Sequence, residues 1–350
     1  MLQHIELIEG GRGFTGPPIA LERDMTLETR KDAVTFAQIK ERMHAVSEVA
    51  AWPQMLRLME RVGHRESASV WDYPPAVCQA VGGNAQAGLP GAAAVFCSLI
   101  SIHLVDDMLD EDPKGDYHRL GIGRAANLGL AFQAAGHLVL DDPQIDPQVR
   151  AALHASFARM SIGTAFGQDM DSQEIRSEEE YWLTVGAKTP PLFGAAFRMG
   201  ALLADADEGT SDLLEAFGGA LGRFVQVSDD LSDAMETPAK ADWARRSNNL
   251  PILYAMTADH PLRERFLEMS ARPDDSEALA EAHRILLKSG AVSYCVFKMV
   301  ELSREARGIL AQVPLRNPEP VERILAAHLR PLHKMLESVG VEEPATLVLG

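Results

Sequence analysis

Gly88-Leu-Pro-Gly-Ala-Ala-Ala-Val-Phe-Cys-Ser-Leu-Ile-Ser-Ile-His-Leu-Val105 runs for eighteen residues without a charge, then meets Asp106-Asp107-Met-Leu-Asp110. A membrane span needs about 20 strongly apolar residues, and Pro90, Ser98, Ser101 and His103 interrupt this one. A helix that is apolar all round belongs at the centre of a large soluble bundle. The stretch therefore predicts a buried central helix whose last turn carries carboxylates.

The rest of the chain agrees with a helical reading. Leu279 to Leu287 and Val292 to Ile309 repeat apolar residues at spacings of three and four. Pro74-Pro75, Pro113 to Gly115, Pro190-Pro191 and Pro314 punctuate such segments. No alternating run is long enough for a strand, and Gly121-x-Gly123 lacks the third glycine of a phosphate-binding loop. No period of 30–50 residues recurs. The expectation is an all-α fold, one domain over residues 1–350. It has ten or more helices around a central cavity and an irregular arm over residues 1–30.

Composition narrows the function classes. Apolar residues make up 46% and charged residues 24%, which excludes a disordered or collagen-like chain. A net charge of −17 repels phosphate backbones and anionic lipid, so neither nucleic acid nor a membrane surface is an expected partner. Cys78, Cys97 and Cys295 show no CxxC spacing, so neither a disulfide framework nor a zinc site is expected. Met1 to Gly11 lacks the basic start and apolar core of a signal peptide. These features point to the cytoplasm.

A second acidic cluster repeats the first. Phe224-Val-Gln226-Val-Ser-Asp229-Asp230-Leu-Ser-Asp233 is again DDxxD after an apolar run, 123 residues beyond Asp106. Positions i and i+4 share a helix face, so the outer aspartates of each motif point together. Carboxylates crowded at a helix C-terminus oppose the macrodipole and call for a cation. Oxygen ligands without Cys or His select hard ions, Mg²⁺ above all where it bridges a substrate phosphate. One such cluster alone is usually a solvated helix end. Two, each following a buried run, are not.

These residues resemble the trans-isoprenyl diphosphate synthases, the polyprenyl synthetases, from about Met43 to Leu336. Gly82-Gly83, Phe166-Gly-Gln-Asp169, Lys188-Thr189, Asn249-Leu-Pro-Ile-Leu-Tyr254 and Ser289-Gly-Ala-Val-Ser-Tyr294 add to the likeness. The resemblance implies an enzyme that ionises an allylic prenyl diphosphate on three Mg²⁺ ions and releases pyrophosphate. It makes Asp106, Asp110 and Asp229 direct ligands, with Asp107, Asp230 and Asp233 as ligands or their supports. Lys188 and Arg119 would grip the diphosphate, and Thr189 and Gln226 would lie near the nascent cation. Lys240 and Arg246 would form the rest of the grip. Ser98, Ser101 and Ile102 would face or adjoin the tunnel that takes the prenyl tail, although Ser98 and Ser101 equally suit close helix packing. A homodimer is also implied.

Departures from the family pattern sharpen the expectation. The acceptor diphosphate site of elongating members needs GKxxR, where this chain reads Gly63-His64-Arg65-Glu66-Ser67. Leu99 stands seven before Asp106 in place of His or Gln, and Arg119-Leu120-Gly121 lacks the second Arg of RRG. Each charge-assisted contact to a diphosphate contributes about 1.5–3 kcal/mol, so these losses weaken the acceptor site heavily. A retained donor site with a degraded acceptor site makes intramolecular cyclisation the leading expectation. Chain elongation with isopentenyl diphosphate is the alternative, and a non-catalytic subunit of a heteromeric synthase is a third. Products formed with and without isopentenyl diphosphate separate the first two.

Overall fold

The structure is a computed structural model that describes residues 33–63, 70–239, 243, 248–338 and 341. The arm expected over residues 1–30 lies outside the described residues, as do His64, Arg65, Lys240 and Arg246. The described residues form α-helices and short 3₁₀ turns, with no strand among them. In chain order the helices are α1 (Phe36–His44), α2 (Ser47–Ala50), α3 (Pro53–Gly63), α4 (Tyr73–Val81), α5 (Leu89–Leu109), α6 (Tyr117–Leu120), α7 (Ile122–Leu140) and α8 (Pro147–Asp171). They continue with α9 (Glu178–Lys188), α10 (Pro190–Leu203), α11 (Glu208–Ala234), α12 (Leu250–Thr257), α13 (Arg263–Ser270), α14 (Ser276–Lys288), α15 (Ala291–Leu310) and α16 (Glu319–Ser338).

The charge-free stretch forms α5. Among the described residues its segment is long and apolar enough to cross a membrane, yet 72% of its most apolar window is buried inside the bundle. It packs against α7 on one side and α1 on another. The aliphatic core surrounds it, and Phe36 and Trp71 meet Phe96 edge-on. Pro190 and Pro191 mark the start of α10. Neither proline has an N–H to continue the hydrogen bonds of α9, but both fit a first helical turn, so α9 ends at Lys188 and α10 begins two residues later. A smaller apolar cluster of Trp243, Ile252, Phe266, Ala282 and Leu286 fills the space among α12, α13 and α14.

Ser101 is buried on α5. Its hydroxyl donates to the Gly129 carbonyl at 2.9 Å, in the close seam between α5 and α7. Ser98 is fully buried. The Ser101 contact supports close packing of α5 on α7, one of the two roles open to it in the sequence.

Candidate active site

Three helix C-termini converge on one cationic side chain. The first motif ends α5, Asp171 ends α8, and Lys188 ends α9. Lys188 Nζ lies 2.6 Å from Asp171 Oδ2 and 3.6 Å from Asp106 Oδ1. A cation at a helix C-terminus is favoured by the dipole, and here it also offsets carboxylates that the dipoles of α5 and α8 disfavour. Burial works against the ammonium charge, but the Asp106 and Asp171 carboxylates outweigh it and hold its pKa above the usual lysine range. Lys188 therefore remains a cation at every working pH.

The second motif is reached through the next residue. Thr189 Oγ1 donates to Gln226 Oε1 at 2.6 Å, and Gln226 Nε2 donates to Asp230 Oδ1 at 2.9 Å. The α9–α10 junction thus links both motifs, Lys188 to the first and Thr189 to the second. Two glycines allow the approach. A Cβ on Gly167 would sit 2.3 Å from the Lys188 backbone nitrogen, and one on Gly222 would sit 2.9 Å from Pro190 Cα. Each glycine lies one helical turn before the side chain that makes the contact, Asp171 and Gln226 respectively.

The six motif aspartates do not share one role. Asp230 is only 3% exposed. Its carboxylate accepts from the Tyr181 hydroxyl at 2.6 Å, the Leu250 backbone N–H at 3.0 Å and Gln226. Burial, with the Asp230 charge beside it, holds the Tyr181 hydroxyl far above the phenol range, so it stays a donor. Of the two roles expected for Asp230, support for the ligands fits this geometry. Asp107 lines the α3 side of α5 and accepts weakly from the Asp116 N–H at 3.4 Å. That position lies about 100° around the helix from Asp106. Asp106, Asp110, Asp229 and Asp233 are half-buried at the ends of α5 and α11.

Asp106 Oδ1 is buried with no hydrogen-bond partner, the state of an oxygen reserved for a ligand. That oxygen faces the Lys188 ammonium at 3.6 Å, and no three carboxylates are already gathered into a metal cluster among the described residues. The oxygen-only chemistry of the motif side chains fits a hard divalent cation. Arg119 stands apart from Lys188, paired with Asp116 at 3.2 Å. Asp171, Tyr181 and Asn248 were not singled out in the sequence. Asp171 lies four residues after Gly167, but no local pattern marks it.

A cavity of about 250 Å³ opens on the other side of the first motif. Leu58, Val62, Ile100 and Leu104 form its apolar wall, with His103, Asp107, Asp112 and Asp116 at its polar edge. Arg61 and Arg119 both pair with Asp116 there.

Comparison with known proteins supplies the family. A profile described as polyprenyl synthetase matches residues 94–286, more than half of the chain. A dimethylallyltranstransferase of Mycobacterium tuberculosis is 27% identical over 188 residues, covering 53% of this chain and 58% of that protein. The nonaprenyl diphosphate synthase of the same organism is 28% identical over 258 residues, covering 68% of this chain and 75% of that one. The chain thus spans from under six-tenths to three-quarters of the length of these relatives. A decaprenyl diphosphate synthase from Rhodobacter capsulatus has the same fold, with a TM-score of 0.70 at 20% identity over 85% of this chain and 94% of the other. With the paired acidic helix ends and the lysine between them, the match over 94–286 shows that the chain belongs to the polyprenyl synthetase family of enzymes.

Proposed function

We propose that the protein is a chain-elongating trans-prenyltransferase, joining an allylic prenyl diphosphate to isopentenyl diphosphate with release of pyrophosphate. The observation that carries this reading is the cavity of about 250 Å³ beside the end of α5, apart from the Lys188 contacts. Its edge includes Asp116, the carboxylate with which Arg61 and Arg119 both pair. Elongation needs a place for each of two substrates, whereas cyclisation needs one. The relatives named above, a dimethylallyltranstransferase and a nonaprenyl diphosphate synthase, point the same way. The cyclisation expected from the sequence finds no support among them. The expected acceptor groups were lost from the motifs, but Arg61, absent from those motifs, brings a guanidinium to the same end of α5.

In this reading Asp106, Asp110, Asp229 and Asp233 would hold Mg²⁺, which would supply positive charge to the leaving diphosphate when bound. Lys188 binds the same diphosphate as a fixed cation, with Lys240 and Arg246 completing the grip. Tyr181 and Gln226 hold Asp230, and so keep the end of α11 in register with the Lys188–Thr189 junction. Thr189 and Gln226 present oxygen dipoles toward the developing allylic cation. Arg61 and Arg119, released from Asp116, receive the acceptor diphosphate. Bidentate guanidinium contacts suit that group.

The test is product analysis with Mg²⁺ and geranyl, farnesyl or geranylgeranyl diphosphate. Longer prenyl diphosphates should form only when isopentenyl diphosphate is added. Hydrocarbon or alcohol formed without it at comparable rate would restore cyclisation.

We also propose a cytoplasmic homodimer. Leu130 on α7 and Ile162 and Phe166 on α8 are 71%, 71% and 59% exposed, a run of large apolar side chains that a second copy would cover. Sedimentation velocity should read twice the chain mass; a monomer at micromolar concentration would refute the dimer.

A further inference from the structure

The segment that enters α12 carries two adjacent asparagines, and they tie down two different acid-bearing helices. Asn249 is 1% exposed, and its amide donates to the Asp230 carbonyl of α11 at 2.8 Å. Asn248 turns the other way. Its amide nitrogen donates to the Asp171 carbonyl at the end of α8 and to the Gln173 carbonyl at 3.0 Å. Its amide oxygen accepts from the Ile175 N–H at 3.3 Å. The last carbonyls of a helix have no partner within it. Here one side chain bonds the carbonyl that ends α8 and two further backbone groups of the turn that follows.

The residue so fixed is the one that holds Lys188. Asp171 Oδ2 bonds Lys188 Nζ at 2.6 Å while Asn248 fixes the Asp171 backbone, and the Asn248 amide reaches within 3.5 Å of Asp171 Oδ1. We infer that Asn248 is a positioning residue for the allylic diphosphate, acting through Asp171 on the placement of the Lys188 ammonium. This rests on the allylic-diphosphate reading above. The same short segment then sets both sides of the site, Asn248 the lysine side and Asn249 the second acidic motif.

A double-mutant cycle tests the inference, read by calorimetric affinity for an unreactive thiolodiphosphate analogue of farnesyl diphosphate in Mg²⁺. Asn248→Ala should weaken binding about tenfold in the wild-type background. In an Asp171→Ala background the same change should have little further effect, because the residue through which it acts is gone. Asn248→Ser, which keeps one donor, should restore part of the affinity. It also takes the place of the alanine variant if that does not fold. Full additivity in the Asp171→Ala background, or wild-type affinity for Asn248→Ala, overturns the inference. Absence of analogue binding by the wild-type protein instead overturns the allylic-diphosphate reading itself.

Discussion

Asp106→Ala and Asp229→Ala each reduce turnover by about a thousandfold, the scale of several kcal/mol of lost charge stabilisation at a metal site. The fold survives both changes. Asp106 Oδ1 is buried without a hydrogen-bond partner, and Lys188 keeps Asp171 at 2.6 Å when Asp106 is gone. Removing Asp106 relieves like-charge repulsion at the helix C-terminus but takes one carboxylate from the Lys188 ammonium, and these effects oppose, so the thermal midpoint shifts little. Steady-state kinetics beside thermal melts check this. Near-normal rates in both variants would dismiss the two-motif site.

Asp230→Ala behaves in the opposite way, losing stability before any catalytic role can be read. It strips the acceptor from the Tyr181 hydroxyl, the Gln226 amide and the Leu250 N–H at once. Each buried donor left unsatisfied costs about 1–3 kcal/mol, and breaking a buried charged network costs about 3–5 kcal/mol in all. The melt of Asp230→Ala should fall by several degrees or the protein should fail to accumulate. Asp230→Asn, which keeps one oxygen acceptor, should fall less. An unchanged melt for Asp230→Ala would show that the network does not hold the end of α11.

The contrast between these aspartates was partly legible in the sequence. Phe224, Val227 and Leu231 define the buried face of α11, and Asp230 falls on it beside Val227 and Leu231. Read as a repeated DDxxD, the six aspartates look equivalent; read against helical phase, they do not. Helix placement was legible for the same reason, since Pro190-Pro191 and the apolar period carry local information. The Asp171–Lys188 pair was not. It depends on α8 touching α9 at Gly167, a tertiary contact that no local pattern encodes. Asn248 was invisible for a related cause, because its three partners lie more than seventy residues earlier in the chain.

Ser101 carries two readings by position alone. Its place five residues before Asp106 suits a tail tunnel or close helix packing, and its hydroxyl bonds the Gly129 carbonyl across the helix seam. The acceptor side shows the converse. The motif groups expected there are replaced, yet Arg61 and Arg119 meet at Asp116 beside a cavity. Under the elongation reading these two guanidinium groups would supply the cations that the motifs lack.

The most direct measurement is calorimetric titration of isopentenyl diphosphate into the full chain loaded with Mg²⁺ and the unreactive farnesyl analogue. Elongation predicts saturable binding of one acceptor per chain at micromolar affinity, weakened by Arg61→Ala while the affinity for the analogue stays the same. No measurable binding to the loaded enzyme, with the analogue itself bound, would contradict elongation and leave an enzyme with a donor site alone.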